Sequence, residues 1–136
     1  MKIVVLAVGR LRPPFADDVA HYRRLLGGKA KLELIEVRTD EQAAARIPER
    51  AFVSLLDAAG ETYDSEGFSA FIEDRRMAGA DLWFVIGGAF GGLDLPRVDH
   101  RLSLGPMTYP HQLARVVLLE QLFRAHKILA GEPYHY

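Results

Sequence analysis

At 136 residues, the chain has the length of one ordinary domain and can bury a single core without cross-links. Hydrophobic residues make up 49% and charged residues 26%, which excludes a disordered chain. The absence of cysteine excludes disulfide scaffolds, thiolate metal sites and cysteine nucleophiles.

A net charge of −1 argues against an autonomous nucleic-acid binder, yet the charge is unevenly placed. Residues 1–32 hold seven Lys and Arg against two Asp and Glu, residues 33–99 six against fourteen, and residues 100–136 four against two. A fold or a dimer that brings the two basic ends together would present a basic face opposite an acidic one. Ordinary scatter of surface charge is the competing explanation.

The run Lys2–Val8 is apolar and β-branched and ends at Gly9, which predicts a buried strand followed by a turn. It is too short to span a bilayer and no signal-peptide cleavage pattern follows, so a cytoplasmic protein with no membrane partner is expected. After Pro13 and Pro14, the positions Phe15, Val19, Tyr22 and Leu26 recur at helical spacing until Gly27 and Gly28 stop the pattern. Leu32, Leu34, Ile35 and Val37 predict a second strand, and residues 40–47 a short helix ended by Pro48. Residues 51–56 predict a third strand, closed by a turn over residues 57–60. Phe68, Phe71 and Ile72 mark a helix running to about Met77, before Gly79. Leu82–Ile86 is the fourth strand and residues 102–104 a short fifth. The apolar stretch 113–129 predicts a final helix, with Thr108 placed to cap it, Pro110 in its first turn and Gly131 at its stop. Strands alternating with helices predict one α/β domain over residues 1–136, a mostly parallel sheet with helices on both faces. No internal repeat or linker divides it.

In open α/β sheets ligands bind beyond the carboxyl ends of the strands, so chemistry is sought in the loops after strands three, four and five. The fourth strand runs into Gly87-Gly88-Ala89-Phe90-Gly91-Gly92. Gly87 and Gly92 have the spacing of a phosphate-binding loop, but Leu93 and Asp94 follow where Lys and Ser or Thr are needed. A dinucleotide fingerprint is missing after the first strand, where Gly9 is followed by Arg10, Leu11, Arg12 and two prolines. The glycine-rich loop therefore reads either as a site of close ligand approach or as a plain turn. The loop after strand five, Leu104-Gly105-Pro106-Met107-Thr108-Tyr109-Pro110-His111, is stiff and apolar. Such a loop suits an adenine ring held between apolar side chains, with backbone groups bonding the purine edge. Its spacing alone does not identify a ligand.

That segment, continued through Gln112, Leu113, Ala114, Arg115, Glu120 and Arg124, resembles the C-terminal signature of the RlmH (YbeA-like) family of the SPOUT superfamily. The resemblance extends to Phe84-Val85-Ile86-Gly87-Gly88, to Leu55-Leu56-Asp57 with Gly60, and to the ending Gly131-Glu132-Pro133-Tyr134-His135. It implies S-adenosyl-L-methionine as methyl donor, held by Leu56, Gly88, Leu104, Gly105, Pro106, Met107, Thr108 and Tyr109. It further implies a trefoil knot near the C-terminus, a homodimer, and methylation of N3 of a pseudouridine in 23S ribosomal RNA of the assembled ribosome, with no DNA partner. Alternatives are a SPOUT methyltransferase for another RNA and an RNA- or protein-binding dimer without turnover.

Methyl transfer from a sulfonium is an in-line displacement, which needs positioning and a group to manage the acceptor's proton. His135, Arg115, Glu120 and Arg124 are the candidates, His135 foremost because histidine titrates near neutral pH and, in the dimer that the resemblance implies, the tail would reach a partner subunit's site. Glu120 and Arg124, four apart, equally describe a simple helix ion pair, and His111 a helix cap. His21, His100 and His126 lack metal-ligand spacing, so no metal is expected. Two features depart from the family pattern. The chain ends Tyr134-His135-Tyr136 where a Lys or Arg usually follows the histidine, and the connection between strands two and three is short.

Overall fold

The computed structural model describes residues 1–88 and 93–134. In chain order the elements are β1 (Lys2–Val8), α1 (Phe15–Gly27), β2 (Lys31–Val37), α2 (Asp40–Arg46), β3 (Phe52–Glu61), α3 (Ser65–Ala78), β4 (Leu82–Ile86), β5 (His100–Leu102) and α4 (His111–Leu129). The strands form one sheet in the order β2-β1-β4-β3-β5, every pairing parallel. The α/β class and the layered arrangement expected from the sequence are therefore present.

Parallel strands sandwiched between layers must be apolar on both faces, and all five residues of β4 are buried. Ile3, Val5 and Ala7 of β1 and Leu82, Phe84 and Ile86 of β4 face one layer, where α4 lies packed against both α1 and α3. The alternate residues Val4, Leu6, Val8, Trp83 and Val85 face the other, covered by Ala43 of α2 and by Leu93, Leu95 and Val98. Trp83 is the chain's one tryptophan, 4% exposed, paired across the sheet with Val4 of β1 and Val53 of β3. Its indole Nε1 has no hydrogen-bond partner among the described residues.

Local chemistry explains most helix ends. The Thr39 hydroxyl accepts from the Gln42 N–H at 3.1 Å, while the Gln42 side chain accepts from the Arg38 N–H, so both ends of a reciprocal cap start α2. Ile47 is then extended, as a residue before proline must be, and the helix stops at Arg46 rather than at 47. Asp64 caps α3 by accepting from the Gly67 N–H at 2.7 Å. After α4, Gly131 N–H bonds Ile128 and Glu132 N–H bonds Lys127, the paired bonds of a Schellman stop.

Three further boundaries differ from expectation. Residues 57–60 do not close β3. Asp57 does make a turn-like bond, Oδ1 accepting from the Ala59 N–H at 2.9 Å, but the strand resumes at Glu61, so that Leu56 and Glu61 both oppose Leu102. The turn becomes a bulge within a longer strand. β5 begins at His100, earlier than expected, because Asp99 and His100 grip β3: Asp99 exchanges bonds with Val53, and the His100 ring bonds the Ser54 hydroxyl. Finally, Thr108 does not cap α4. Pro110 occupies the cap position and makes no side-chain cap bond, leaving Thr108 two residues before the cap.

Candidate functional site

A cavity of about 310 Å³ opens at the carboxyl ends of β3, β4 and β5. Its walls are Leu55 to Ala58 of β3, Ile86 with Gly87 and Gly88 at the end of β4, and Leu102 with Leu104 at the end of β5. Gly105, Met107, Thr108 and Tyr109 of the following loop complete it, with His111 and Ala114 from the first turn of α4. The volume is at the lower end of small-ligand sites, and a mostly apolar lining with few polar groups suits a small organic ligand.

Two glycines shape the wall. A Cβ on Gly60 would sit 2.6 Å from the Arg101 carbonyl oxygen, so only glycine lets the bulge rejoin β5. Gly105 has φ +127°, a backbone angle that other residues rarely adopt, and it turns the loop back over the cavity. Between them, buried Ser103 joins bulge to loop. Its hydroxyl lies 3.0 Å from the Ala58 carbonyl and 2.9 Å from the Gly105 carbonyl, and accepts from the Gly105 N–H at 3.0 Å. Ser103 N–H also donates to Glu61 at 2.8 Å.

The charged groups at the cavity are few. The Ala59 N–H, followed by the Arg101 guanidinium, holds the Asp57 carboxyl below its usual range; Arg101 Nη1 donates to Asp57 Oδ2 at 2.9 Å. His111 is held below the ordinary histidine value by burial and, less, by the charges of Arg115 and Arg12. These surroundings disfavour its protonated form.

Of the residues expected to contact a methyl donor, Leu56, Gly88, Leu104, Gly105, Met107, Thr108 and Tyr109 all line this cavity. Pro106 sits in the same loop, exposed, and is not part of the lining. The proton-handling candidates lie elsewhere. Arg115, 5% exposed, turns away from the cavity: Nη1 donates to Glu36 at 2.5 Å and Nη2 to the Gly9 carbonyl at 2.7 Å. Glu120 and Arg124 make the i,i+4 ion pair, at 2.8 Å. They stand nine and thirteen residues beyond His111, roughly 14 and 20 Å along the helix axis. The Arg124 guanidinium also lies 4.2 Å over the Tyr134 ring. Burial, then hydrogen bonding to Glu120, pushes the Tyr134 hydroxyl up to about 12. His135 lies outside the described residues, as do positions 89–92 of the glycine-rich loop.

Asp57, Arg101, Ser103 and His111 were not picked out by the sequence as parts of the site. Asp57 carried a visible signal, being the first residue after an apolar strand. Arg101 and Ser103 carried none, because their roles depend on the bulge opposite them. His111 looked like a cap, yet it borders the cavity instead.

Among the described residues no group of three or more His, Asp or Glu is arranged to hold a metal ion, and no helix is long and apolar enough to cross a membrane. A family model described as "Predicted SPOUT methyltransferase" matches residues 1–135. The chain belongs to the SPOUT methyltransferase family.

Its relatives include proteins named Ribosomal RNA large subunit methyltransferase H. The one from Pelobacter propionicus is 43% identical over 152 residues, covering 100% of both chains. Those from Carboxydothermus hydrogenoformans and Bifidobacterium adolescentis are each 38% identical, over 158 and 159 residues, covering 99% of this chain and 99% of theirs. These alignments run longer than 136 residues, so the relatives carry segments that this SPOUT methyltransferase lacks. Between β2 and β3 it has only the seven-residue α2.

Proposed function

We propose that this SPOUT methyltransferase uses S-adenosylmethionine to methylate N3 of a pseudouridine in 23S ribosomal RNA of the assembled ribosome. The observation that carries the reading is the cavity at the carboxyl ends of β3, β4 and β5, in which seven of the eight expected cofactor-contact residues converge. The names of the relatives supply the RNA. A homodimer with a knotted chain path near the C-terminus belongs to the same proposal.

The residues present suit the methyl donor. Leu56, Leu104 and Met107 offer apolar surface for an adenine ring, and backbone groups of the 104–109 loop other than those of Gly105 would bond its edge. Bound there, S-adenosylmethionine supplies a methyl carbon on a sulfonium centre. The chain's own task is to exclude water, to orient the acceptor nitrogen in line with that carbon, and to take up the N3 proton. In this proposal His135 holds that proton, and Glu120 and Arg124 line the acceptor side. Because those two lie far along α4 from their own cavity, they would serve the cavity of a second copy. Arg115 acts as a positioning residue, through Gly9 and Glu36.

The test is transfer of labelled methyl from S-adenosylmethionine to ribosomes purified from a strain lacking the enzyme, with the product nucleotide located by mass spectrometry. A methylated pseudouridine in large-subunit RNA is the expected result. No incorporation, with calorimetric cofactor binding intact, would move the search to another RNA or to a binding role. Absence of cofactor binding would overturn the cavity assignment itself. With little net positive charge, naked ribosomal RNA should be methylated far less efficiently than ribosomes.

A further inference from the structure

The loop after β1 is exposed, yet its backbone is pinned by side chains from two distant elements. Gly9 N–H donates to Val37 of β2, Leu11 N–H to the Glu36 carboxylate at 2.7 Å, and Arg12 N–H to Gln112 Oε1 of α4 at 2.7 Å. In the other direction, Arg115 Nη2 donates to the Gly9 carbonyl and Gln112 Nε2 to the Arg10 carbonyl. Arg115 closes the frame by its ion pair with Glu36, which neutralises the carboxylate beneath the loop. Loops are ordinarily the least constrained part of a fold. Here six of the eight backbone polar groups from Gly9 to Arg12 have a partner.

The frame displays two side chains, Arg10 and Arg12, both exposed and neither in an ion pair among the described residues. They stand beside the cavity, because the helix turn that anchors them also carries His111. The positive charge of Arg12 is felt at the His111 ring. Nearby acids are Asp17 and Asp18 in the first turn of α1, and Asp40 and Glu41 in that of α2. Arg38 precedes the latter pair and is left out of the site for that reason. Holding a pair of arginines on a preset backbone removes much of the ordering cost of binding a planar or tetrahedral anion.

We propose that Arg10 and Arg12 form an RNA phosphate clamp at the rim of the cavity, held in register by Glu36, Gln112 and Arg115. The clamp grips the backbone flanking the target nucleotide and supplies positioning, not sequence readout. It rests on the RNA-methyltransferase reading above.

The test is sedimentation binding of the full-length protein to purified large ribosomal subunits across a potassium chloride series, with no turnover required. Arg10→Glu/Arg12→Glu should bind at least tenfold more weakly than wild type near 100 mM salt. Its slope of log affinity against log salt should be shallower by about 1.5, since each lost phosphate contact contributes about 0.7 to 0.9. Calorimetric S-adenosylmethionine affinity should not change. Arg24→Glu/Lys31→Glu, an equal charge change at exposed positions near the amino end of β2, should bind within twofold of wild type. Wild-type affinity and slope in the Arg10/Arg12 variant would overturn the clamp. Equal weakening in the control variant would overturn it too, since net charge would then be the cause. Weaker binding with an unchanged salt slope would point to a ribosomal protein and not a phosphate, again overturning it. If binding depends on Arg10 and Arg12 but wild type transfers no methyl group to any ribosomal substrate, the clamp stands and the enzymatic reading falls.

Discussion

Ser103 works as a joint, because one buried hydroxyl contacts the Ala58 carbonyl on one cavity wall and both backbone polar groups of Gly105 on the other. Ser103→Ala strands those groups, which costs about 1–3 kcal/mol. S-adenosylmethionine affinity should therefore drop about tenfold, measured by calorimetry; an unchanged affinity would mean the walls hold without the joint. Gly60→Ala should be harsher, since its Cβ would press on backbone, not on a side chain that can swing away. Two partly buried histidines add a pH dependence. His100 is held below the ordinary 6.5 mainly by burial, against a weaker opposing pull from Glu61, and His111 by burial with Arg115 and Arg12. Above pH 6.5 both are neutral folded and unfolded, and they contribute nothing. As pH falls through that value the unfolded chain gains protons that the folded chain resists, so stability declines towards acid. Urea midpoints should fall between pH 7.5 and 5.5, and less so in His111→Gln. A midpoint that rises on acidification would contradict the burial argument.

At the scale of elements, β4 is buried along its whole length. Phe84 is fully buried beneath α3 and α4, and Phe84→Ala should cost about 3–5 kcal/mol in denaturant unfolding; a loss under 1 kcal/mol would mean the core collapses around the gap. Such central strands and the long helices were legible in the sequence, because a parallel sheet buried on both faces leaves unbroken apolar runs such as Leu82–Ile86. The bulge in β3 was not. Asp57 to Gly60 has honest turn chemistry, and the Asp57 turn bond does form, but whether a turn ends a strand or interrupts it depends on a partner strand forty residues away. The same holds for β5, whose three residues owe their pairing to Asp99 and His100 gripping Val53 and Ser54. The cavity was legible as a set of loops, since strand ends can be located without knowing their neighbours. Its polar side, built from Asp57, Arg101 and Ser103 across the bulge, could not be read until the register was known.

For the whole molecule, the N-terminal basic segment and the start of α4 do meet, through the Gln112 and Arg115 tethers, as an uneven charge distribution along the chain allows. The apolar residues around α4 are a different matter: Leu118, Leu119, Leu122 and Phe123 are buried within the single chain and say nothing for a dimer. Glu120 and Arg124, far along α4 from their own cavity, are where the proposed dimer can be tested. If they act on substrate in a second copy, an Arg124→Ala chain and a Gly105→Val chain, each inactive alone, should recover up to about a quarter of wild-type methyl transfer when mixed and allowed to exchange subunits. No recovery would confine each site to one chain. Trp83 offers a way to watch the sheet itself come apart. The indole is the chain's only one, sits in an apolar part of the core, and is flanked by the strands on either side of β4. Three residues on, its strand enters the cavity wall at Ile86 and Gly87. Its fluorescence should thus be blue-shifted in the native state and red-shifted in a single step as the sheet comes apart, giving a label-free optical record of folding that begins directly beneath the site.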